Sequence, residues 1–189
     1  MKFLKIFLLL CITSSVYAQN NATTKYYRHL RYNHVSPYIN LAGTFPIDYD
    51  TAKSTSHYIF KYDGKNRIIE IFYDKNGKRI INDRKVYKEV YQYKRRFKNK
   101  LQFLNLNDKP MLSNWGIFEY KWSKHKKLII EKRYDLENNE VALSPYFKFG
   151  TTGILLNKKG FPKAQYNLDE NLKVIANEKG TASYQDVYD

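Results

Sequence analysis

The sequence predicts a mainly β fold: an antiparallel meander of about four hairpin repeats after a small irregular N-terminal cap. A recurring block, strict alternation and turn chemistry all point there. The block IIEIFYDKNGKRI at residues 68–80 returns as IIEKRYDLENNEV at residues 129–141, a displacement of 129 − 68 = 61 residues. Weaker echoes lie near residues 101–111 and 164–174. The unit is therefore about 30 residues, a period that belongs to repeat architectures. Alternation is clear at residues 57–62, where Tyr58, Phe60 and Tyr62 share one face and Ile59 and Lys61 the other, the pattern of a half-buried strand. The turn chemistry lies in Asp63-Gly64-Lys65-Asn66 and Asp74-Lys75-Asn76-Gly77, where glycine tolerates positive φ and Asp or Asn bonds its own backbone.

Residues 1–18 read as a signal peptide. A basic start with Lys2 and Lys5 precedes an apolar run from Ile6 to Ile12 and small residues up to Ala18, with cleavage expected after Ala18. That run is too short to cross a bilayer, which needs roughly 20 residues, so no transmembrane span is expected. Lipidation at Cys11 is the competing reading, but Leu8-Leu9-Leu10 lacks the small neighbour it needs. The expected localisation is secreted, periplasmic or cell-envelope.

Cleavage leaves 189 − 18 = 171 residues and no cysteine. Disulfides, thiolate metal sites and a cysteine nucleophile are then excluded together. The formal charge falls from +15 to 15 − 2 = +13, high enough to attract polyanions non-specifically. Seventeen of the 18 tyrosines remain, a composition that favours strands and half-wet surfaces. The triplet Asn21-Ala22-Thr23 matches a glycosylation acceptor by accident in a bacterial setting.

Residues 19–55 form the expected lead and cap, with short strands and loops around Pro37, Gly43 and Pro46. A short helix over 25–31 is an alternative. The repeat region is 56–189. Its first unit is strand, turn, strand, turn from His57 to Gly77. The second runs from Val86 to Trp115, the third from Gly116 to Gly150 and the fourth from Thr151 to Gly180. Residues 181–189 read as the start of a fifth unit or a capping edge. In the second unit Val86, Val90, Tyr93, Phe97, Leu101 and Leu104 fall at helical spacing. An amphipathic helix over 86–104 therefore competes with a hairpin, and the Val, Tyr and Phe content favours the hairpin.

FKYDGKNRIIEIFYDKNGKRI and EYKWSKHKKLIIEKRYDLENNEV resemble the tyrosine–aspartate (YD, RHS-like) hairpin repeats of secreted bacterial proteins. Tyr62-Asp63, Tyr73-Asp74 and Tyr134-Asp135 keep the pair. The other units depart from it, with Tyr93-Lys94, Leu106-Asn107, Trp122-Ser123, Leu156-Asn157 and Leu168-Asp169. The resemblance covers about residues 56–180 and implies an antiparallel meander. Large members wrap into shells around a toxin; this chain is too short for that role. The family offers no catalytic residues to transfer.

Basic clusters are the strongest candidate site. Lys94, Arg95, Arg96, Lys98 and Lys100 form one, Lys124, Lys126 and Lys127 with His125 another, and Lys158 and Lys159 a third. In the repeat register they share a turn with Lys65 and Arg67, and Tyr93, Phe97, Tyr120 and Trp122 lie close in sequence. Such an edge binds phosphates, acidic glycans or single-stranded nucleic acid, or simply protects sheet edges from aggregation. His29, His34, His57 and His125 show no ligand or general-base spacing. Glu70 and Glu131 recur in register; paired carboxylates suit glycoside hydrolysis, whereas recurrence fits cross-strand pairing with lysine. Asp63, Asp74, Asp135 and Asp169 read as turn formers, since no calcium-loop spacing accompanies them.

The expected function is a secreted, non-enzymatic binding or scaffold protein of the bacterial envelope or exterior, with no catalytic or metal site and no cofactor. Polyanion binding through the basic turns is the specific form of that expectation, and a glycan-acting hydrolase the enzymatic alternative. The partners in view are an anionic glycan, an envelope surface or a protein.

Overall fold

The structure is a computed structural model that describes residues 22–31, 35–142 and 148–185. The expected signal peptide, Cys11 and His34 lie outside them. In chain order the elements are β1 (Thr23–Leu30), β2 (Gly43–Ile47), α1 (Tyr49–Ser54), β3 (His57–Tyr62), β4 (Ile68–Lys75), β5 (Lys78–Ile80), β6 (Lys88–Lys94), β7 (Phe97–Leu104), β8 (Glu119–His125), β9 (Leu128–Tyr134), β10 (Thr151–Leu156), β11 (Pro162–Leu168) and β12 (Ser183–Gln185). They form one open antiparallel sheet in the order β2-β1-β3-β4-β6-β7-β8-β9-β10-β11-β12. Strand β5 shares an edge of β4 with β6, the two lying end to end. This is the expected hairpin meander. Among the described residues no helix is long and apolar enough to cross a membrane.

The lead is part of the same sheet. Residues 25–31 form no helix: β1 pairs with β2 on one side and with β3 on the other. The ring of Tyr27 lies against Gly43, where a Cβ would stand 2.1 Å from Cγ of the ring. Helix α1 starts because Asp48 caps it, its Oδ1 accepting the Thr51 N–H at 2.7 Å, which satisfies an otherwise orphaned donor.

Within residues 86–104 there is no helix: Lys88–Lys94 and Phe97–Leu104 are strands β6 and β7, turned at Arg95-Arg96. Their helical spacing carries no helical face. Leu101 packs in the core, while Val90 and Leu104 stand on the opposite face. Strand β12 pairs with β11 and forms that edge of the sheet.

A five-residue turn is the element that truly repeats. Asp63, Asn82, Asn105, Ser113, Asp135, Asn157, Asp169 and Asn177 each open one. In every case the N–H of the opening residue donates to the carbonyl four residues on. Its side-chain oxygen accepts the N–H of that same later residue. The fourth residue takes positive φ: Asn66, Lys85, Asp108, Gly116, Asn138, Gly160, Leu172 and Gly180. A short acceptor side chain at the first position and left-handed tolerance at the fourth are the chemistry this loop demands. In unit two the turn opens at Asn105, two positions before the Asn107 of the expected Leu106-Asn107 pair.

The conspicuous 61-residue repeat is one pleat out of phase with this frame. Tyr73 faces the core and lies 4.6 Å from the Tyr58 ring, whereas Tyr134 lies on the outer face under Lys121, at 4.3 Å. Strand β4 runs on through Asp74 into a tight Asn76-Gly77 turn; β9 stops at Tyr134, and Asp135 opens the five-residue loop. A shift of one residue exchanges the two faces of a strand.

One face carries the core. Tyr58, Phe60, Ile71, Tyr91, Leu101, Phe103, Tyr120, Trp122, Ile129 and Ile154 line it. The segment 35–42 crosses this face as a strap, and Val86, Ile117 and Phe149 are buried with it. A single sheet has no second sheet to close against, and its core includes paired charges. Arg84 bonds Glu89, which also accepts from Tyr91 Oη at 2.6 Å and Asn82 Nδ2 at 3.1 Å. Arg133 bonds Glu131 at 2.8 Å, the Phe149 carbonyl at 2.9 Å, Thr152 Oγ1 at 2.9 Å and the Gly150 carbonyl. Trp122 Nε1 donates to Glu131 at 2.7 Å.

The opposite face is a wet ladder of alternating charge. Glu70 sits between Lys61 at 2.9 Å and Lys88 at 3.1 Å. Glu119 sits between Lys100 at 3.2 Å and Lys121 at 2.9 Å. Each pair joins neighbours on adjacent strands or along one strand, with Lys88 and Glu119 buried, and mainly holds register.

Candidate functional site

The hairpins β3–β4, β6–β7, β8–β9 and β10–β11 all turn at the same end of the sheet, because the links between hairpins lie at the other end. Their tips are residues 63–67, 94–97, 124–128 and 157–161. Neighbouring strands lie about 4.8 Å apart, so successive tips recur about every 10 Å along this rim. The tips hold ten basic residues, Lys65, Arg67, Lys94, Arg95, Arg96, Lys124, Lys126, Lys127, Lys158 and Lys159, and one acid, Asp63. The opposite rim (residues 74–79, 82–86, 105–109, 113–117, 135–140, 169–173 and 177–181) has nine acids against eight bases. Of the two rims, only the one formed by the hairpin tips carries a charge excess.

The lone acid is spent locally. Asp63 Oδ2 binds Arg67 Nε at 2.8 Å and Nη2 at 2.5 Å. Desolvation pushes its carboxyl up, but the bonds from the Arg67 side chain and from the Arg67 and Lys65 N–H groups outweigh it and hold the carboxyl below its usual range. Arg67 also reaches the Arg95 carbonyl of the next tip and stacks over Tyr93 at 4.8 Å, tying the first two tips together. The other nine tip cations are exposed and make no ion pair among the described residues. Arg95 and Lys126 stand at φ 58° and 53°, left-handed positions that hairpin turns usually give to Gly or Asn. Phe97 and the half-exposed Phe161 put aromatic rings among these charges, with Lys124 over Phe97 at 5.1 Å.

Two candidates leave the rim. Lys98 is 6% exposed and turns toward the core face, where its Nζ donates to the Ser36 and Ile39 carbonyls at 3.0 and 3.1 Å. Burial lowers this amine to about 8, against a weaker upward pull from Glu89. Lys100 belongs to the outer ladder with Glu119. Both lie beyond Phe97, the last tip position of β7, where strand pleat replaces turn geometry. Tyr120 and Trp122 are core residues rather than rim aromatics.

Sequence reasoning did not foresee a cleft just inside the rim, about 430 Å³, between the strap and the first two tips. Tyr27, Tyr38, Tyr62 and Tyr93 wall it, and Arg67, Arg96 and Lys98 bring basic groups to it. Residues from β1, the strap, β4 and β7 meet there, far apart in sequence; only the tyrosine excess hinted at it.

Glu70 and Glu131, the carboxylates weighed for hydrolysis, lie on opposite faces of the sheet, Glu70 opposite Lys61 and Glu131 opposite Trp122. They cannot flank one glycosidic bond. Glu131 also departs from the lysine pairing expected of it, because the one-residue phase shift puts it in the core with Arg133. Asp63, Asp135 and Asp169 open five-residue turns, and Asp74 Oδ1 accepts the Gly77 N–H at 2.9 Å. His57 is buried with its Nδ1 2.8 Å from the Thr55 carbonyl, His29 packs on Phe45, and His125 is exposed at a tip. Among the described residues no three of His, Cys, Asp and Glu cluster in a way that could hold a metal ion.

No family model, curated protein or solved structure matches the chain.

Proposed function

We propose that this protein is a secreted, non-enzymatic binding module that holds anionic polymers of the cell envelope or exterior along its cationic rim. The observation that carries the reading is the segregation of charge: nine cations outside any ion pair among the described residues, on four tips in a row, opposite a rim of near-balanced charge. A spacing of about 10 Å between tips suits a chain of regularly placed sulfates, carboxylates or phosphates better than a single small anion. Aromatic rings among the charges, and the tyrosine-walled cleft beside them, supply stacking surface of the kind that sugar and base rings use. The likeness to tyrosine–aspartate hairpin repeats and the expected signal peptide support the exterior setting.

The test is retention on heparin and phosphocellulose resins across a salt gradient. The quadruple change of Arg95, Arg96, Lys126 and Lys127 to Gln removes four exposed charges that make no ion pair among the described residues. The unaltered protein should be held at low salt and released steeply. Binding driven by counterion release loses a slope of about 0.7 to 0.9 per contact, so the variant's salt slope should fall by about 3. Equal retention of the two proteins would sink the proposal.

A further inference from the structure

The strap divides the core face into two clefts. The second opens away from the cationic tips, is about 440 Å³, and is floored by Phe103, Tyr120, Glu131 and Ile154. Tyr38 of the strap forms one side, and the turns carrying Arg84 and Trp115 form the other. We infer that this cleft is a binding site for a neutral saccharide, distinct from the polyanion rim.

Three observations carry the inference. Arg84 is 6% exposed, and its Nη2 has no hydrogen-bond acceptor among the described residues; its other amine is taken by Glu89. A buried donor left without an acceptor is costly, and a ligand oxygen in the cleft supplies one. Trp115 is 54% exposed although it stands in a tightly bonded turn, whose Ser113 N–H donates to the Ile117 carbonyl at 2.8 Å. The turn needs no indole there, and an exposed indole at the mouth of an aromatic cleft is a stacking platform. The charged groups of the lining are paired: Arg84 is offset by Glu89 and Glu131 by Arg133. An anion is therefore disfavoured, which separates this cleft from the rim.

Aromatic rings with amide, carboxylate and guanidinium groups match a sugar residue. Its C–H face packs on an aromatic plane, and its hydroxyls both donate and accept. Asn114 and Gln165 add amides at the cleft. The volume lies within the range of small-ligand pockets, about 300–1,000 Å³, enough for a short saccharide.

The experiment uses tryptophan fluorescence. Trp122 is buried and bonded to Glu131, whereas Trp115 is exposed, so the two report separately. The mature protein is titrated with cellobiose, maltose, lactose and N,N′-diacetylchitobiose at millimolar concentration, at low and high salt. At least one should shift the Trp115 emission saturably and without salt dependence. Gln165→Ala should weaken that binding about tenfold with unchanged thermal unfolding. The rim quadruple variant should bind the sugar as well as the unaltered chain. Trp115→Ala, followed by calorimetry, should abolish binding. Arg84 is left intact, because removing it strands Glu89 in the core. The inference is overturned if none of the four sugars binds, if binding survives Trp115→Ala, or if it disappears with salt together with rim binding. Failure of the rim proposal leaves the salt-independent result intact, so the two readings stand or fall separately.

Discussion

Lys98 carries an ammonium into a place that suits a neutral amine. Its two carbonyl partners, Ser36 and Ile39, match the two N–H groups of the uncharged form. Burial lowers its pKa from 10.5 to about 8. Below about 8 both folded and unfolded chains hold the proton, and the cost of burying it is present in full. Between about 8 and 10.5 the folded chain has released it while the unfolded chain still binds it, so stability rises with pH. The gain is on the order of 3 kcal/mol. Chemical denaturation at a series of pH values should show this rise, and Lys98→Met should flatten it. A rise of equal size in the variant would show that other groups cause it. At the same scale, Glu89→Ala should cost roughly 3–5 kcal/mol, because it leaves Arg84 buried without a counter-charge; urea midpoints measure it.

At the scale of elements, the five-residue turn closes two hairpin tips and recurs along the opposite rim, and its chemistry can be tested one residue at a time. Asp135→Ala removes the acceptor for the Asn139 N–H and should cost about 1 kcal/mol. Leu172 occupies the left-handed position of its turn at φ 61°, where a branched apolar side chain is strained. Leu172→Asn should therefore stabilise the protein by about 1 kcal/mol, seen as a raised unfolding midpoint. Hairpins were legible because alternation and turn residues are local properties. Tyr58, Phe60 and Tyr62 had to share a face whatever they packed against. The phase between units was not legible. Tyr73-Asp74 and Tyr134-Asp135 look identical in the chain, yet one aspartate continues a strand and the other opens a loop. The difference lies within the strand: a β-bulge at Ile69 shifts the register of β4, so Ile68 and Ile129 both face the core while the residues after Ile69 stand on the opposite face from their counterparts in β9. The same slip explains why Glu131 left the outer ladder that Glu70 occupies.

For the whole molecule, buried tyrosines set an alkaline limit. Desolvation pushes Tyr58 and Tyr93 up to about 12 and raises Tyr62, Tyr91 and Tyr120 as well. In the unfolded chain these groups ionise near 10. Their contribution is intact below that value and is lost as pH climbs from about 10 toward 12 and beyond, because the unfolded chain then gives up protons first. Stability should pass through a maximum near pH 10, where the Lys98 gain ends and the tyrosine loss begins. Far-ultraviolet circular dichroism measured against pH checks this, and a monotonic fall from neutral pH would contradict it.

Local chemistry alone settled much of this protein. Alternation made the strands, Asp, Asn and Gly placed several turns, and lysine and arginine at the first turn of each hairpin marked a basic edge. A meander keeps its hairpin tips at one end, so that edge needed no long-range information. The tertiary structure decided what depends on which residues meet across the sheet. It drew Lys98 away from the rim, split Glu70 and Glu131 between two faces, and laid residues 35–42 over the core so that clefts form on either side. Those outcomes rest on strand phase and on contacts between segments distant in the chain, which no local pattern encodes.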